Sequence, residues 1–342
     1  MDQIPAAMDR QLDVVQCHRD GGLLLGASSL SGRYWLGSLW FYSNPALAPD
    51  VEKCTAGVQL EAGLQDATWA DAATVVVGLD TGGVAVWGLV DDFHTFVLSQ
   101  CAIEHDNIVS SISVSADGKT VISASYDNRI KVWDLSNLSS IHTYRAHSDI
   151  VWSVDCHPTE ADMYLSCGHD KTVLLWDQRK PRPASIIKCP RLQGAPTCSS
   201  WQPGSQHTAA IGSEVGQMVL MDIRMVADTV RAYTPHTRRV QRAEFCPAKP
   251  SLLASVGEDC GTVVAAVDDD SIASSYSVCS HSDFVQGLTW FGGDCLYTCG
   301  WDSQVVRHDL NDSKSNTTKA VVMDVNGEIP DKGQLIEDQQ QS

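Results

Sequence analysis

Ile130-Lys131-Val132-Trp133-Asp134 and Val173-Leu174-Leu175-Trp176-Asp177 are two copies of one strand ending, 43 residues apart in a chain of 342. Each follows a serine-bearing apolar strand and an Asp turn: Ile122-Ser123-Ala124-Ser125-Tyr126-Asp127 in the first, Leu165-Ser166-Cys167-Gly168-His169-Asp170 in the second. Each is also preceded by a histidine, His105 and His147. The same frame extends outward in weaker form. Trp40 and Trp87 close apolar runs upstream, and Met221-Asp222, Val267-Asp268 and His308-Asp309 close them downstream. Positions 40, 87, 133, 176, 221, 267 and 308 are 47, 46, 43, 45, 46 and 41 residues apart. A fixed period of this length marks a repeat architecture, and seven periods leave little of the chain over.

Inside each period the apolar runs are short and bounded by Gly, Asp, Asn or Pro, which reads as hairpins rather than helices. Ser113-Val114-Ser115-Ala116-Asp117-Gly118-Lys119 is a strand entering an Asp-Gly turn, with the next strand starting at Thr120. Four such strands make a small sheet with two apolar faces, which must stack on neighbours to hide both. The expected fold is all-β, a seven-bladed propeller.

The His, Ser/Thr, Asp and Trp pattern resembles the WD40 repeat family, in which the four side chains form a hydrogen-bonded network within a blade. The matching sets are His105, Ser123, Asp127 and Trp133, then His147, Ser166, Asp170 and Trp176. His281, Thr298 and Asp302 begin a third set, with His308 where Trp would stand. His236 and Asp259 begin another whose Trp position is apolar. The blades ending at Met221 and Trp87 lack the histidine.

A Ser, His and Asp trio also suggests a hydrolase. The trio recurs at equivalent positions, however, and a catalyst needs one copy, whereas a strand-linking polar network needs many. No Gly-x-Ser-x-Gly elbow, phosphate loop or dinucleotide fingerprint occurs. No catalytic residue, cofactor or metal is expected. Cys295 and Cys299 near His281 and His308 lack the close paired spacing of a metal site. A propeller enzyme with a central metal would need inward-facing carboxylate or His clusters beyond these sets.

The formal net charge is −18, from 42 acidic and 24 basic side chains. Such a field opposes direct nucleic-acid binding and favours basic proteins or Arg-rich tails, and it also keeps a large chain from aggregating. Hydrophobic residues make up 43% of the sequence, ten of them Trp. No run is long enough for a membrane span and no signal-peptide core is visible. The twelve cysteines form no Cys-x-x-Cys pair. Many lie in apolar runs, so they read as buried reduced thiols of a cytoplasmic or nuclear protein.

Function is more legible in the first blade. The run from Leu23 to Trp40 places Arg33-Tyr34-Trp35 in a turn between two strands, where polar residues are usual. Trp and Arg dominate binding hot spots, although a Trp at such a place also serves as a buried lid. Gly26-Ala27-Ser28-Ser29-Leu30-Ser31-Gly32-Arg33 closely resembles the WD-repeat subunits of methylosomes, partners of the type II protein arginine methyltransferase. Collinear matches run from about Met8 to His308. They include Ala56-Gly57-Val58-Gln59, Glu104-His105-Asp106-Asn107-Ile108-Val109-Ser110, Tyr144-Arg145-Ala146-His147 and Gly300-Trp301-Asp302. The resemblance implies that Trp35, flanked by Arg33 and Tyr34, inserts into a pocket of the methyltransferase's N-terminal barrel. It implies a hetero-octamer, four plus four, that presents Arg-rich substrates such as Sm proteins and core histones for symmetric dimethylation. Phe284, Trp152 and Trp301 are further candidate partner contacts, large aromatics read as lying at loop positions beside the repeat histidines and aspartates. The alternative is a WD40 substrate receptor or histone-peptide reader, which would bind through the central rim.

Residues 1–10 show no strand pattern and are expected to be flexible, outside the propeller core. The propeller is expected over residues 11–326 and a disordered polar tail over 327–342. Val321 to Val325 either forms the outer strand of the last blade or yields that place to an N-terminal strand; the first reading is slightly favoured.

Overall fold

A computed structural model describes residues 4–311 apart from 6, 30–34, 181, 183, 188, 190, 225–230 and 269–271, together with the backbone of 321–324. Seven four-stranded antiparallel sheets follow one another along the chain, each built from consecutive strands. The protein is a seven-bladed β-propeller. Its inner strands are Gln11–Cys17, Leu64–Trp69, Val109–Val114, Val151–Cys156, Pro196–Trp201, Val240–Phe245 and Val285–Phe291, which we take as blades 1 to 7. Two short 3-10 turns, Pro45–Leu47 and Val51–Lys53, lie between the third and fourth strands of blade 1. Among the described residues no helix is long and apolar enough to cross a membrane.

Alternation alone does not suffice to bury a blade, so the second and third strands are apolar on both faces. Thr120–Ser125 and Met163–Gly168 are buried from their second residue onward. Apolar clusters fill the gaps between neighbouring blades. One joins Ile122, Ile130 and Val132 of blade 3 to Val154, Tyr164 and Trp176 of blade 4. Another joins Leu12, Leu25 and Trp40 of blade 1 to Tyr297, Cys299 and Val305 of blade 7, closing the ring by packing. Val321–Asp324 pairs with Gln304–Asp309 as the outer strand of blade 7. The tail over 327–342 lies outside the described residues.

Two readings of the sequence need correction. Met8 is buried in the cluster between blades 1 and 7, and Asp9 is hydrogen-bonded, so residues 8–10 belong to the packed ring rather than to a flexible leader. In blade 6 the residue equivalent to Trp133 is Ala265, not Val267. Trp133 pairs with Val121, two residues before Ser123, and Ala265 pairs with Leu253, two residues before Ser255. The third strand there runs on to Val267, which moved the apparent Trp-Asp site by two residues.

The turns between second and third strands share one backbone shape. Asn128, Lys171, Cys260 and Ser303 all take positive φ, between 61° and 69°, and each directly follows the aspartate of its set. That aspartate accepts the amide two residues on, as Asp127 does from Arg129 at 2.9 Å, and so holds the strained turn closed. Blades 2 and 5 lack the aspartate and place Gly82 and Gly216 at the same point, with φ of 82° and 83°. A Cβ on Gly216 would lie 2.1 Å from the His236 carbonyl oxygen. Gly216→Ala is therefore expected to lower stability by about 2–3 kcal/mol, from strain and the clash together. Urea unfolding of the two proteins measures it; a change under 0.5 kcal/mol would contradict this account.

Candidate protein-interaction rim

Every inner strand carries a bulge near its start. The residues left unpaired by it are Asp13, Gln65, Ser110, Trp152, Thr197, Gln241 and Gln286, one per blade. A bulge re-aims a side chain, and these seven line one end of a central channel of about 610 Å³. Further in, Arg242 of blade 6 reaches across to the Asp66 carboxylate of blade 2, which also accepts the Ile112 amide at 2.9 Å. Asp155 and Glu244 line the channel near its other end. Burial pushes both carboxyls up to about 7, against the attraction of Arg242. The fifth residues of several inner strands stitch blades together: Ser113 accepts from the Cys156 amide at 3.0 Å, Asp155 from Trp201 at 2.8 Å and Thr289 from Cys17 at 3.1 Å.

Four blades carry the histidine network. His105 Nδ1 lies 2.8 Å from Asp127 and Nε2 2.8 Å from Ser123 Oγ, which accepts Trp133 Nε1 at 2.8 Å. His147, Ser166, Asp170 and Trp176 repeat this at 2.8–3.0 Å. In blade 7 His308 takes the Trp place, bonding Thr298 at 2.9 Å and the Tyr276 hydroxyl of blade 6 at 2.8 Å. Burial, then the charge of His281, pushes His308 down to about 3, so it is a neutral bridge. His236 bonds Asp259 and Ser255, each at 2.9 Å. Burial would raise the Asp170 carboxyl, but the bonds from Thr172, the Ser148 amide and His147 hold it at about 2. Ser123, Ser166 and Ser255 are wholly buried, so these hydroxyls cannot meet a substrate. Cys295 and Cys299 do not converge with His281 and His308, whose Nε2 atoms both bond Thr298. Among the described residues no group of three His, Cys, Asp or Glu could hold a metal ion.

The histidine loops and aspartate turns lie at the same end of the ring as the bulged residues, and this end is the rim. Trp35, directly before the strand Leu36–Tyr42, stands there 46% exposed and borders the channel mouth. Arg33 and Tyr34 lie outside the described residues. Trp301 is half-buried, stacks obliquely on Phe284 with centroids 5.6 Å apart, and donates its Nε1 to Asp13 at 2.9 Å. Trp152 is not in a loop but on the inner strand Val151–Cys156, at the bulge. It is thus not equivalent to Phe284, which precedes its strand; the counterpart of Phe284 in blade 6 is Arg239. The Arg239 guanidinium stacks on Trp152 at 3.8 Å, and Tyr126 meets the same indole edge-on at 5.3 Å. Arg239, Tyr126 and Asp13 escaped sequence reasoning. Only the bulge, invisible in a period-2 pattern, turns their neighbours inward. Trp35 and the central rim share one face, so the two binding modes weighed from the sequence overlap in space.

On this face Asp106 pairs with Arg129 and Glu104 with Lys131. Asp149 pairs with His169, and Glu61, Glu214 and Asp283 are exposed without an ion pair among the described residues. At the opposite end Lys119 binds Asp117, Arg179 and Lys180 bind Asp177, Arg224 binds Asp222 and Lys249 binds Asp294.

Burial pushes the Asp13 carboxyl from 3.8 up to about 7, against the bonds from Ser28 and Trp301. Between these values the folded chain keeps a proton that the unfolded chain releases. Stability from Asp13 is thus fully present below pH 3.8 and is lost as pH rises through about 7. Relative to Asp13→Asn, the wild type is expected to be more stable at pH 5 than at pH 8. Urea unfolding at both values tests this, and a pH-independent difference would rule it out.

The WD domain, G-beta repeat profile matches residues 96–134 and 138–177. The methylosome protein WDR77 of Xenopus laevis is 38% identical over 308 residues, covering 90% of this chain and 91% of that protein. The chain belongs to the WDR77 family. Protein valois of Drosophila melanogaster is 24% identical across 87% of this chain and 85% of its own. The ubiquitin ligase COP1 of Arabidopsis thaliana is 28% identical over 52% of this chain but only 27% of its own length, a match to the shared repeats. Collinearity with WDR77 over nearly the whole ring sets it apart from that partial likeness.

Proposed function

We propose that this WDR77 family member is a non-catalytic scaffold subunit of a methylosome that docks on a type II protein arginine methyltransferase through Trp35. The carrying observation is an indole 46% exposed directly before the strand Leu36–Tyr42, on the ring's aromatic face. A large side chain held out of the core by a folded stem loses little entropy on docking, which is what a hot spot needs. Arg33 and Tyr34 flank it in the sequence, and Phe284, Trp152 and Trp301 supply the neighbouring surface. Free carboxylates on the same face suit Arg-rich substrates such as Sm proteins and core histones, presented for symmetric dimethylation. The assembly is a hetero-octamer of four plus four, present in cytoplasm and nucleus.

Affinity purification with native mass spectrometry tests the reading. A methyltransferase at equal stoichiometry is expected, and its absence would overturn the assignment. Capture of a ubiquitin ligase or histone peptide, abolished by changes at Trp152 or Phe284 but not at Trp35, would favour the receptor or reader instead.

A further inference from the structure

Blade 1 lacks the histidine network that closes the equivalent turn in blades 3, 4, 6 and 7. Three residues separate Ser125 from Arg129 in blade 3, where Asp127 fixes the turn, but six separate Ser29 from Leu36 in blade 1. A longer connection ending in an exposed Trp35 needs another means of support. The ladder between the two stem strands runs to Ser29 opposite Leu36, the residue directly after the indole.

Two carboxylates from the segment before and within the first strand hold these stems. Asp9 accepts from Ser38 Oγ at 2.9 Å, and Ser38 Oγ in turn accepts Trp40 Nε1 at 2.9 Å. The order indole, hydroxyl, partner is that of blades 3 and 4, but the hydroxyl comes from the third strand beside Trp40 instead of the second, where Ala27 stands, and Asp9 takes the histidine's part. His105 stands four residues before Val109, the residue ahead of the bulge; in blade 1 Met8 holds that place before Leu12, and Asp9 lies one residue further on. On the other stem, Asp13 accepts from Ser28 Oγ and from Trp301 Nε1 of blade 7. Two further bonds close the base: Gln59 Nε2 donates to the Gly37 carbonyl at 2.7 Å, and Ser303 Oγ donates to the Arg10 carbonyl at 2.6 Å.

We propose that Asp9 and Asp13 are positioning residues for Trp35, holding at the rim the two strands that flank it in the chain, Leu23–Ser29 and Leu36–Tyr42. The histidine network locks a turn from within, through the turn's own aspartate. The carboxylate clamp locks only the stems. The docking role of Trp35 rests on the function proposed above; the clamp itself does not.

The test uses the full chain labelled with 5-fluorotryptophan, with the Trp35 resonance assigned by its loss in Trp35→Phe. Asp9→Ala is expected to shift or sharpen that resonance, while Asp9→Asn, which keeps an acceptor for Ser38, restores it. An unchanged resonance in Asp9→Ala would overturn the clamp. Affinity for the type II methyltransferase is then measured in a double-mutant cycle. Asp9→Ala is expected to weaken binding about tenfold alone and less than twofold in a Trp35→Ala background. Equal losses in both backgrounds would mean that Asp9 acts on the fold and not on the loop. If the wild type does not bind the methyltransferase at all, the proposed partner fails, and the fluorine spectra still decide the clamp.

Discussion

Trp35→Ala is expected to weaken binding of the type II methyltransferase by about 30- to 1,000-fold, or about 2–4 kcal/mol, the range of a central aromatic hot spot. The melting temperature should hardly move. Nearly half the indole faces solvent, so truncation opens no cavity in the ring. Phe284→Ala and Trp301→Ala differ because their rings pack on each other and Trp301 also bonds Asp13. Those variants should lose stability as well as affinity. Titration calorimetry paired with thermal melts separates the cases. A Trp35→Ala protein that binds within threefold of the wild type would remove the indole from the interface.

The period and the network were legible because they repeat. Ser123, Asp127 and Trp133 are spaced as Ser166, Asp170 and Trp176 are, with His105 and His147 18 and 19 residues before the serines, and repetition filters chance from pattern. What does not repeat stayed hidden. Blade 6 hid its register because Ala265 carries no signal and the strand overruns to Val267. Trp152 read as a loop residue because a bulge shifts side-chain direction without leaving a trace in composition. Asp9 and Asp13 were invisible for a different reason. A carboxylate before an apolar strand reads as a solvated end, and only the ring's closure brings Asp13 against Trp301, 288 positions later. Trp35 stood out because an aromatic in a turn breaks a local rule, and such breaks are expected where function outweighs packing.

The indoles at equivalent places should not be equally valuable. Trp133 is fully buried between blades 2 and 3, and its Nε1 bonds Ser123. Trp133→Ala should cost about 3–5 kcal/mol from the cavity alone. Trp133→Phe keeps most of the apolar contact but removes the donor, and should cost about 1–3 kcal/mol. Trp87 holds the same place in blade 2, yet blade 2 has Val77 where blade 3 has Ser123, and the buried Trp87 Nε1 has no hydrogen-bond partner. Trp87→Phe discards an unsatisfied donor along with some contact area, so the two changes oppose each other and the net effect should stay within about 1 kcal/mol of zero. Urea unfolding of both Phe variants gives the contrast directly. Similar losses at 87 and 133 would show that ring size, not the indole N–H, governs the site, and the hydroxyl relay would then carry no stability of its own.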